Sequence, residues 1–316
     1  MDCISGREAY GRVLVEIGEN EKIVVLDADV SKATKTCYFA KKYPSRFFNV
    51  GIAEQNLLGV AAGFAVDGKI AIASTFAVFA TCKALDQIRN VICKSELNVK
   101  IVATHAGLTV GEDGASHQST EDISLMRCIP NLVVIAPADG NEVRSALREV
   151  ILNYNGPVYI RLSRYGTPII TNENDKFKIG KGKVISDGDD ITIISTGILL
   201  SNAVKAVKLL KDKGIKAALI NMPTIKPLDR DLIYQYAVKT KAIITVEENT
   251  IIGGLFSAIS ELLSQIYPIP IVSISINDQF GTSGSPGELL KYYNLTEIDI
   301  FNKSLDLVGI KRKLYG

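Results

Sequence analysis

Residues 99–117 have the sequence VKIVATHAGLTVGEDGASH, a short and mainly apolar run followed by a loop that contains three glycines. The run at 99–103 predicts a buried strand, because strands covered on both faces of a sheet are nearly continuously apolar. Both histidines of the chain lie in the loop, beside two carboxylates. Open α/β sheets place their ligand sites in loops at the carboxyl ends of parallel strands. The stretch therefore predicts an α/β fold with its chemistry in this loop.

The same alternation of strands and helices continues on both sides of this stretch. In the first half, apolar runs predict strands at 22–26, 70–73 and 132–135, and amphipathic segments predict helices at 6–18, 53–66, 80–94 and 141–153. In the second half, the predicted strands are 191–195, 217–220, 242–246 and 269–274, and the predicted helices are 201–213, 230–236 and 255–266. The fold class is therefore α/β, with two doubly wound, mainly parallel-sheet domains at 1–170 and 190–316 and a linker at 171–189. The boundary is indicated by Gly, Pro, Asn and Asp, which cluster between about Tyr165 and Asp190.

Composition limits the classes of function. The chain has 316 residues, 47% hydrophobic and 22% charged, and a formal net charge of +2, which argues against nucleic acid or an anionic membrane surface as a partner. The five cysteines are odd in number and irregularly spaced, which is typical of a reducing compartment. No apolar stretch reaches the ~20 residues of a membrane helix, and the N-terminus is polar. We therefore expect a cytoplasmic protein.

Two further segments carry candidate site residues. Glu54 lies at the first turn of an otherwise apolar helix, where it either caps the helix or, if enclosed by apolar neighbours, shares a proton with a ligand nitrogen. Phe76 and Phe79 follow a strand at a spacing that turns both rings in one direction, as core residues or as a stacking platform. In the histidine loop, a neutral imidazole accepts a proton and an imidazolium holds a phosphate. Each segment alone leaves its alternatives open.

In combination, these segments resemble the pyrimidine-binding domain of transketolases. The resemblance rests on GIAEQN at 51–56, TFAVF at 75–79 and the loop from Thr104 to Gln118. It continues through RCIPN at 127–131, APAD at 136–139 and RLSR at 161–164, and more loosely into the second half. Several separated motifs agree, so no single glycine pattern carries it. The resemblance implies a thiamine diphosphate enzyme that transfers a two-carbon ketol unit from a ketose phosphate to an aldose phosphate.

The resemblance assigns cofactor contacts to four residues of this chain. Glu54 matches the catalytic glutamate that hydrogen-bonds N1′ of the aminopyrimidine of thiamine diphosphate. Phe76 and Phe79 match the aromatic residues that contact the same ring. Asp29 aligns with an acidic residue near the thiazolium side. Cys82 stands where many transketolases have a third aromatic residue, so that wall of the pocket departs from the family pattern.

The resemblance also assigns substrate contacts to the histidine loop and two arginines. His117 matches a catalytic histidine near the donor's C1 hydroxyl and C2 oxygen, where a proton donor stabilises developing negative charge. Asp113 matches the carboxylate that selects the substrate's α-hydroxyl by hydrogen bonding. His105, Arg164 and Arg7 match positions that hold the substrate phosphate. For Arg161, a salt bridge within the fold is the favoured role.

One family motif is missing from the sequence. Transketolases bind the cofactor's diphosphate and Mg²⁺ through an N-terminal domain that has a Gly-Asp-Gly motif. The nearest match here, at 188–190, lacks the third residue of that motif, so no metal site is predicted in this chain. The resemblance therefore implies the C-terminal subunit of a split transketolase. A separate N-terminal subunit would hold the diphosphate and its Mg²⁺ or Ca²⁺, and two such pairs would form a heterotetramer.

Three other functions compete with this interpretation. The β-subunit of a 2-oxo acid dehydrogenase shares the two-domain plan and the glutamate, but the pattern at 104–105 and 112–114 favours transketolase. A 1-deoxyxylulose-5-phosphate synthase-like fragment shares the motif at 127–131, but it would usually have arginine in place of His105. The third is a non-catalytic regulatory module, but the presence of Glu54, Asp113 and His117 argues against it. The sequence does not identify the sugars.

Overall fold

The computed structural model describes residues 3–315, which form two α/β domains. The strands are β1 (Cys3–Ser5), β2 (Ile23–Asp27), β3 (Phe47–Asn49), β4 (Ile70–Phe76), β5 (Val99–Thr104), β6 (Val133–Ile135), β7 (Val158–Arg161), β8 (Gly166–Pro168), β9 (Lys183–Ser186), β10 (Ile191–Ser195), β11 (Ala217–Asn221), β12 (Thr224–Lys226), β13 (Ile243–Thr250) and β14 (Ile271–Ile276). The α-helices are α1 (Gly6–Ile17), α2 (Ser31–Thr34), α3 (Cys37–Lys42), α4 (Glu54–Val66), α5 (Asp122–Arg127), α6 (Gly140–Leu152), α7 (Leu200–Asp212), α8 (Arg230–Thr240), α9 (Leu255–Ile266), α10 (Pro286–Tyr292) and α11 (Glu297–Tyr315). Over this described range, every helix is too short or too polar to cross a membrane.

The first domain is built on a seven-stranded sheet with the order β12-β6-β7-β5-β4-β2-β3. All neighbours in it are parallel except β12 and β6. Apolar side chains cover both faces: Leu57 of α4 and Met126 of α5 belong to one core cluster, and Leu14 of α1 and Leu147 of α6 belong to another. The predicted doubly wound, mainly parallel sheet is confirmed for this domain.

The second domain has a five-stranded sheet with the order β14-β13-β10-β11-β9, parallel except for the edge strand β9. One face carries α7 and α11, through Leu200 and Leu307. The other face carries α8 and α9, through Ile233 and Leu262. The second predicted doubly wound domain is confirmed as well.

Three local features differ from the expectations. Strand β9 lies inside the segment predicted as a linker. It was not predicted because its four residues are only partly buried and do not form an apolar run. Strand β12, from the second half of the chain, joins the first sheet by pairing with β6. The segment predicted as one helix at 80–94 is interrupted at Ala84, and it is π-helical at Phe79–Lys83 and Gln87–Cys93. A π-turn holds one extra residue, and such turns are frequent near functional sites.

The start of α6 links the two domains. Asp139 caps this helix, because its carboxylate accepts from the N–H groups of Asn141 and Glu142 at 3.0 and 3.1 Å. The Glu142 carboxylate does not accept a hydrogen bond from the backbone N–H of the cap residue, Asp139. Its two oxygens instead accept from the Ala138 N–H at 2.8 Å and from Asn221 of β11 at 2.7 Å. Burial raises the pKa of Glu142 to about 7.

A buried lysine in β5 predicts a pH-dependent stability. Lys100 is 0% exposed, and its Nζ donates to the carbonyl oxygens of Tyr154 and Gly156 at 2.9 and 2.7 Å. Burial lowers its pKa from 10.5 to about 7. Between these two pH values the unfolded chain binds a proton that the folded chain does not, so folding stability rises with pH. The free energy of unfolding of the wild type should therefore rise relative to Lys100→Met, by at most about 1.4 kcal/mol per pH unit.

Chemical denaturation of both proteins at pH 7 and pH 9 measures this difference. Lys22→Met is the matched control, because Lys22 is exposed. If the difference in the free energy of unfolding between the wild type and Lys100→Met is the same at pH 7 and pH 9, the assignment of a neutral buried amine is wrong.

Candidate active site

The candidate site lies at the carboxyl edge of the first sheet. The adjacent parallel strands β3, β2, β4 and β5 all end at this edge. Phe76 is the last residue of β4, His105 follows β5, and Glu54 begins the helix that follows β3. Residues 76, 54 and 105 were predicted from separate stretches of sequence, and the parallel register gathers them here.

Glu54 is a buried acid with one charged neighbour in the structure. The residue is 6% exposed, and its Oε2 lies 3.7 Å from Nζ of Lys83. Lys83 is half-exposed and also lies 4.5 Å from the ring centroid of Phe79. Gln55, the next residue of α4, donates to the carbonyl oxygen of Lys83 at 3.0 Å. The π-helical turn at Phe79–Lys83 therefore brings a cation to the glutamate, which the sequence did not suggest.

Four rings form an aromatic cluster beside Glu54. Phe76 and Phe79 stack with their centroids 5.9 Å apart. The ring of His105 stacks on Phe76 at 3.9 Å, and the ring of His117 meets Phe79 edge-on at 5.3 Å. The two histidines of the loop thus converge on the phenylalanine pair. The pair faces the loop and is not part of the apolar interior, which favours the stacking platform over the core role.

His105 is held in an unusual conformation. Its backbone φ is +57°, and its Nδ1 lies 2.8 Å from the hydroxyl of Thr104. The residue is 3% exposed. Burial lowers the pKa of His105 to about 3, and the charges of Arg7 and Arg164 and a contribution from His117 act in the same direction. The side chain is therefore a neutral imidazole at physiological pH, not the imidazolium that the sequence also allowed.

Two arginines and an aspartate form a charged cluster next to His105. Arg164 donates to Asp113 and to the carbonyl oxygen of Val110, both at 3.0 Å. Arg7 donates to the carbonyl oxygen of Ala33 at 3.1 Å, while its buried Nε has no hydrogen-bond partner. Burial lowers the pKa of Arg7, and repulsion by Arg164 adds to that effect. An anion between the two guanidinium groups would satisfy the free donor and offset the repulsion.

Three other predicted positions lie outside these clusters. Asp29 is exposed with φ +65°, and its Oδ1 accepts from Asn49 at 2.8 Å. Sγ of Cys82 lies 3.6 Å from a carboxylate oxygen of Glu121. Burial and, to a smaller extent, the charge of Glu121 raise the pKa of this thiol. Arg161 forms a buried salt bridge with Asp122 at 2.9 Å, as predicted.

A buried polar network behind the site was not predicted. Asp122 accepts from Arg161 and from the hydroxyl of Tyr159 at 2.8 Å. Glu248, at the end of β13 in the second domain, lies 3.7 Å from Arg161 and accepts from the Thr109 N–H at 2.7 Å. The partners are 37 to 139 positions apart along the chain. The one available signal was the acidic pair at 247–248, directly after the predicted strand at 242–246.

Metal ligation is not suggested by the side chains at this edge. In residues 3–315, no three or more His, Cys, Asp or Glu side chains form a group that could hold a metal ion. Asp189, which belongs to the nearest match to the Gly-Asp-Gly motif at 188–190, forms a salt bridge with Lys239 at 3.2 Å. Transketolases add a distant Asn to the Gly-Asp-Gly site; the candidate here, Asn221, donates to Glu142.

A doubly wound sheet with a buried glutamate, an aromatic platform and paired arginines at its carboxyl edge has the plan of an α/β enzyme. Residues 2–168 match the transketolase pyrimidine-binding domain, and residues 180–300 match the transketolase C-terminal domain. The chain therefore belongs to the transketolase family, which implies thiamine diphosphate as the cofactor.

Individual relatives agree with this family. A chain of Methanocaldococcus jannaschii named "Putative transketolase C-terminal section" is 50% identical over 293 residues, covering 92% of each chain. The 6-deoxy-6-sulfo-D-fructose transketolase subunit SqwH of Clostridium sp. is 39% identical and covers 93% of this chain and 91% of its own length. A solved structure described as "Split gene transketolase, inactive beta4 tetramer" superposes with a TM-score of 0.91 at 50% identity, covering 98% of this chain and 99% of the other. These relatives are similar to this chain over nearly their whole length.

Proposed function

We propose that this chain is the C-terminal subunit of a split transketolase that transfers a ketol unit from a ketose phosphate to an aldose phosphate. The observation that carries the proposal is the convergence, at one sheet edge, of the buried acid Glu54, the aromatic cluster and the Arg7–Arg164 pair. Each matches one part of the reaction: an acid for the cofactor's ring, a platform for that ring, and donors for a sugar phosphate.

The residues present fit the aminopyrimidine end of thiamine diphosphate. When bound, this cofactor supplies a carbon nucleophile that attacks the ketose carbonyl. Glu54 would hydrogen-bond N1′ of the ring and share a proton with it, and Phe76 and Phe79 would contact the ring faces. Lys83, whose Nζ lies 3.7 Å from Oε2 of Glu54, would face the same carboxylate as the ring. Asp29, at the same edge, would lie on the thiazolium side.

The second cluster fits a phosphorylated sugar. Arg7 and Arg164 would hold the phosphate, since the buried Nε of Arg7 lacks a partner and the two charges repel. His105 would contribute a neutral N–H donor. Asp113 would exchange its contact with Arg164 for the substrate's α-hydroxyl, and His117 would donate to the oxygen that gains negative charge.

The proposal includes a partner chain. The two relatives above are chains of similar extent, and the similar solved structure is described as a split-gene transketolase. A separate N-terminal subunit with a Gly-Asp-Gly motif would supply the half of the site that holds the diphosphate and its Mg²⁺ or Ca²⁺, in a cytoplasmic heterotetramer. A large and apolar interface is expected for such an obligate complex.

Co-expression of this chain with that N-terminal subunit tests the proposal. With thiamine diphosphate and Mg²⁺ present, the complex should transfer ketol units between sugar phosphates, and neither subunit should do so alone. A parallel assay with pyruvate as donor separates the competing functions, because 2-oxo acid dehydrogenases and 1-deoxyxylulose-5-phosphate synthase release CO₂. Turnover by the isolated chain, or CO₂ release in place of ketol transfer, would refute the proposal.

A further inference from the structure

Glu248 joins the second domain to the loop that carries the predicted substrate residues. The side chain lies on β13, is 2% exposed, and its Oε1 accepts from the backbone N–H of Thr109 at 2.7 Å. Its carboxylate also lies against Gly107, where an added Cβ would be 2.3 Å from the carboxyl carbon. Gly107 has φ +78°, a conformation that favours glycine. The loop backbone is therefore shaped around this one carboxylate.

The same glutamate also contacts Arg161 at the end of β7, three residues before Arg164, the proposed phosphate contact. Oε2 of Glu248 lies 3.7 Å from Nη1 of Arg161, and its backbone carbonyl accepts from Nη2 at 2.7 Å. Arg161 is fixed on its other side by Asp122 at 2.9 Å. Three residues further on, Arg164 donates to Val110, the residue after Thr109. Glu248 therefore contacts the loop directly at Thr109 and braces the strand that positions Arg164.

A second contact between the domains holds the far end of the loop. Gln118, directly after His117, uses its Nε2 to donate to the carbonyl oxygens of Leu108 and Gly111, both at 3.2 Å. The same nitrogen donates to Thr282 of the second domain at 2.9 Å. The loop at 105–118 is thus held by the second domain near both of its ends.

We propose that Glu248 is a positioning residue through which the C-terminal domain holds the 105–118 loop in the shape that binds substrate. This inference rests on the proposed function, and it gives the C-terminal domain a role in the substrate site. The loop carries His105, Asp113 and His117, and small displacements of such groups cost large factors in rate or affinity. The cofactor contacts at Glu54 and Phe79 lie on other elements, so loss of Glu248 should affect the sugar phosphate and spare thiamine diphosphate.

Glu248→Gln tests this role in the reconstituted complex. The amide can still accept from Thr109, but it removes the charge that faces Arg161. We expect the KM for the ketose phosphate to rise about tenfold, with kcat and the dissociation constant of thiamine diphosphate changed less than about threefold. Hydrogen exchange of the backbone at 105–118 should accelerate in the same variant, because a neutral amide accepts more weakly from Thr109 than a carboxylate and no longer attracts Arg161.

Glu247→Gln is the matched control. Glu247 is equally buried in β13, but its carboxylate accepts from the N–H groups of Leu255 and Phe256 at the start of α9. This variant should lower thermal stability and leave the KM and the exchange at 105–118 unchanged.

The possible outcomes distinguish the positioning role of Glu248 from the proposed function of the complex. If the wild-type complex is active and Glu248→Gln matches it in KM and loop exchange, the positioning role is wrong and the proposed function stands. If Glu247→Gln raises the KM as much as Glu248→Gln, the effect is one of general stability and the positioning role is again wrong. If the wild-type complex transfers no ketol unit, the proposed function fails, and hydrogen exchange in the full isolated chain still tests whether Glu248 holds the loop.

Discussion

Replacing Glu54 with glutamine should lower ketol transfer by the reconstituted complex by about 100- to 10,000-fold, the usual contribution of a positioned acid or base. Glutamine has nearly the same volume and keeps a hydrogen-bonding group, but it cannot share a proton with a ring nitrogen. Glu54 begins α4 and its charged contact is with the half-exposed Lys83. The fold and the association with the partner should therefore survive the substitution.

Steady-state turnover, with circular dichroism and size-exclusion chromatography as folding checks, measures this effect. Glu19→Gln is the control, because Glu19 is an exposed acid in the turn before β2, at the opposite edge of the sheet. Turnover of Glu54→Gln within threefold of the wild type would remove the catalytic assignment, and a non-catalytic module would then explain the chain better.

Replacing Asp122 with asparagine should destabilise the isolated chain by about 3–5 kcal/mol, because it leaves the buried guanidinium of Arg161 without its closest counter-charge. Asp122 is fully buried and accepts from Arg161 at 2.9 Å and from Tyr159 at 2.8 Å. The remaining acid, Glu248, lies 3.7 Å from Arg161 and is already engaged by Thr109.

The shift in the free energy of unfolding, from chemical denaturation, measures this loss. Glu16→Gln is the comparison, since Glu16 forms half-exposed ion pairs with Arg144 and Arg148 at 3.2 and 3.4 Å. That variant should cost less than about 1 kcal/mol. Equal and small losses in the two variants would mean that the buried network does not stabilise the fold.

The local elements of this fold were largely predictable from sequence. The strand Ile191–Ser195 and the helix Leu255–Ile266 have the predicted bounds, because an isolated apolar run and a strong amphipathic period specify them locally. Strand β7 was not predicted, since its four residues mix Tyr and Arg with apolar side chains. The helices α10 and α11 were not predicted either, because much of their length is polar and exposed.

The candidate site was predictable only where a motif carries its residues. The converging rings of Phe76, His105 and His117 come from short stretches that already contain them. The contact of Lys83 with Glu54 depends on a π-helical turn, whose extra residue leaves no mark in the hydrophobic pattern.

The network of Asp122, Arg161 and Glu248 required the folded structure. Its members come from different elements and both domains, and no local period relates them. Long-range pairing of buried charges is set by the packing of the domains, which a single sequence does not encode in any short window.

The most direct measurement is a crystal structure of the complex between this chain and its N-terminal subunit, with thiamine diphosphate bound. We predict that N1′ of the aminopyrimidine lies within hydrogen-bonding distance of Glu54, about 2.6–3.2 Å, with its ring against Phe76 and Phe79 and its diphosphate on the partner. An aminopyrimidine bound away from Glu54, or a diphosphate held entirely by this chain, would contradict the central claim.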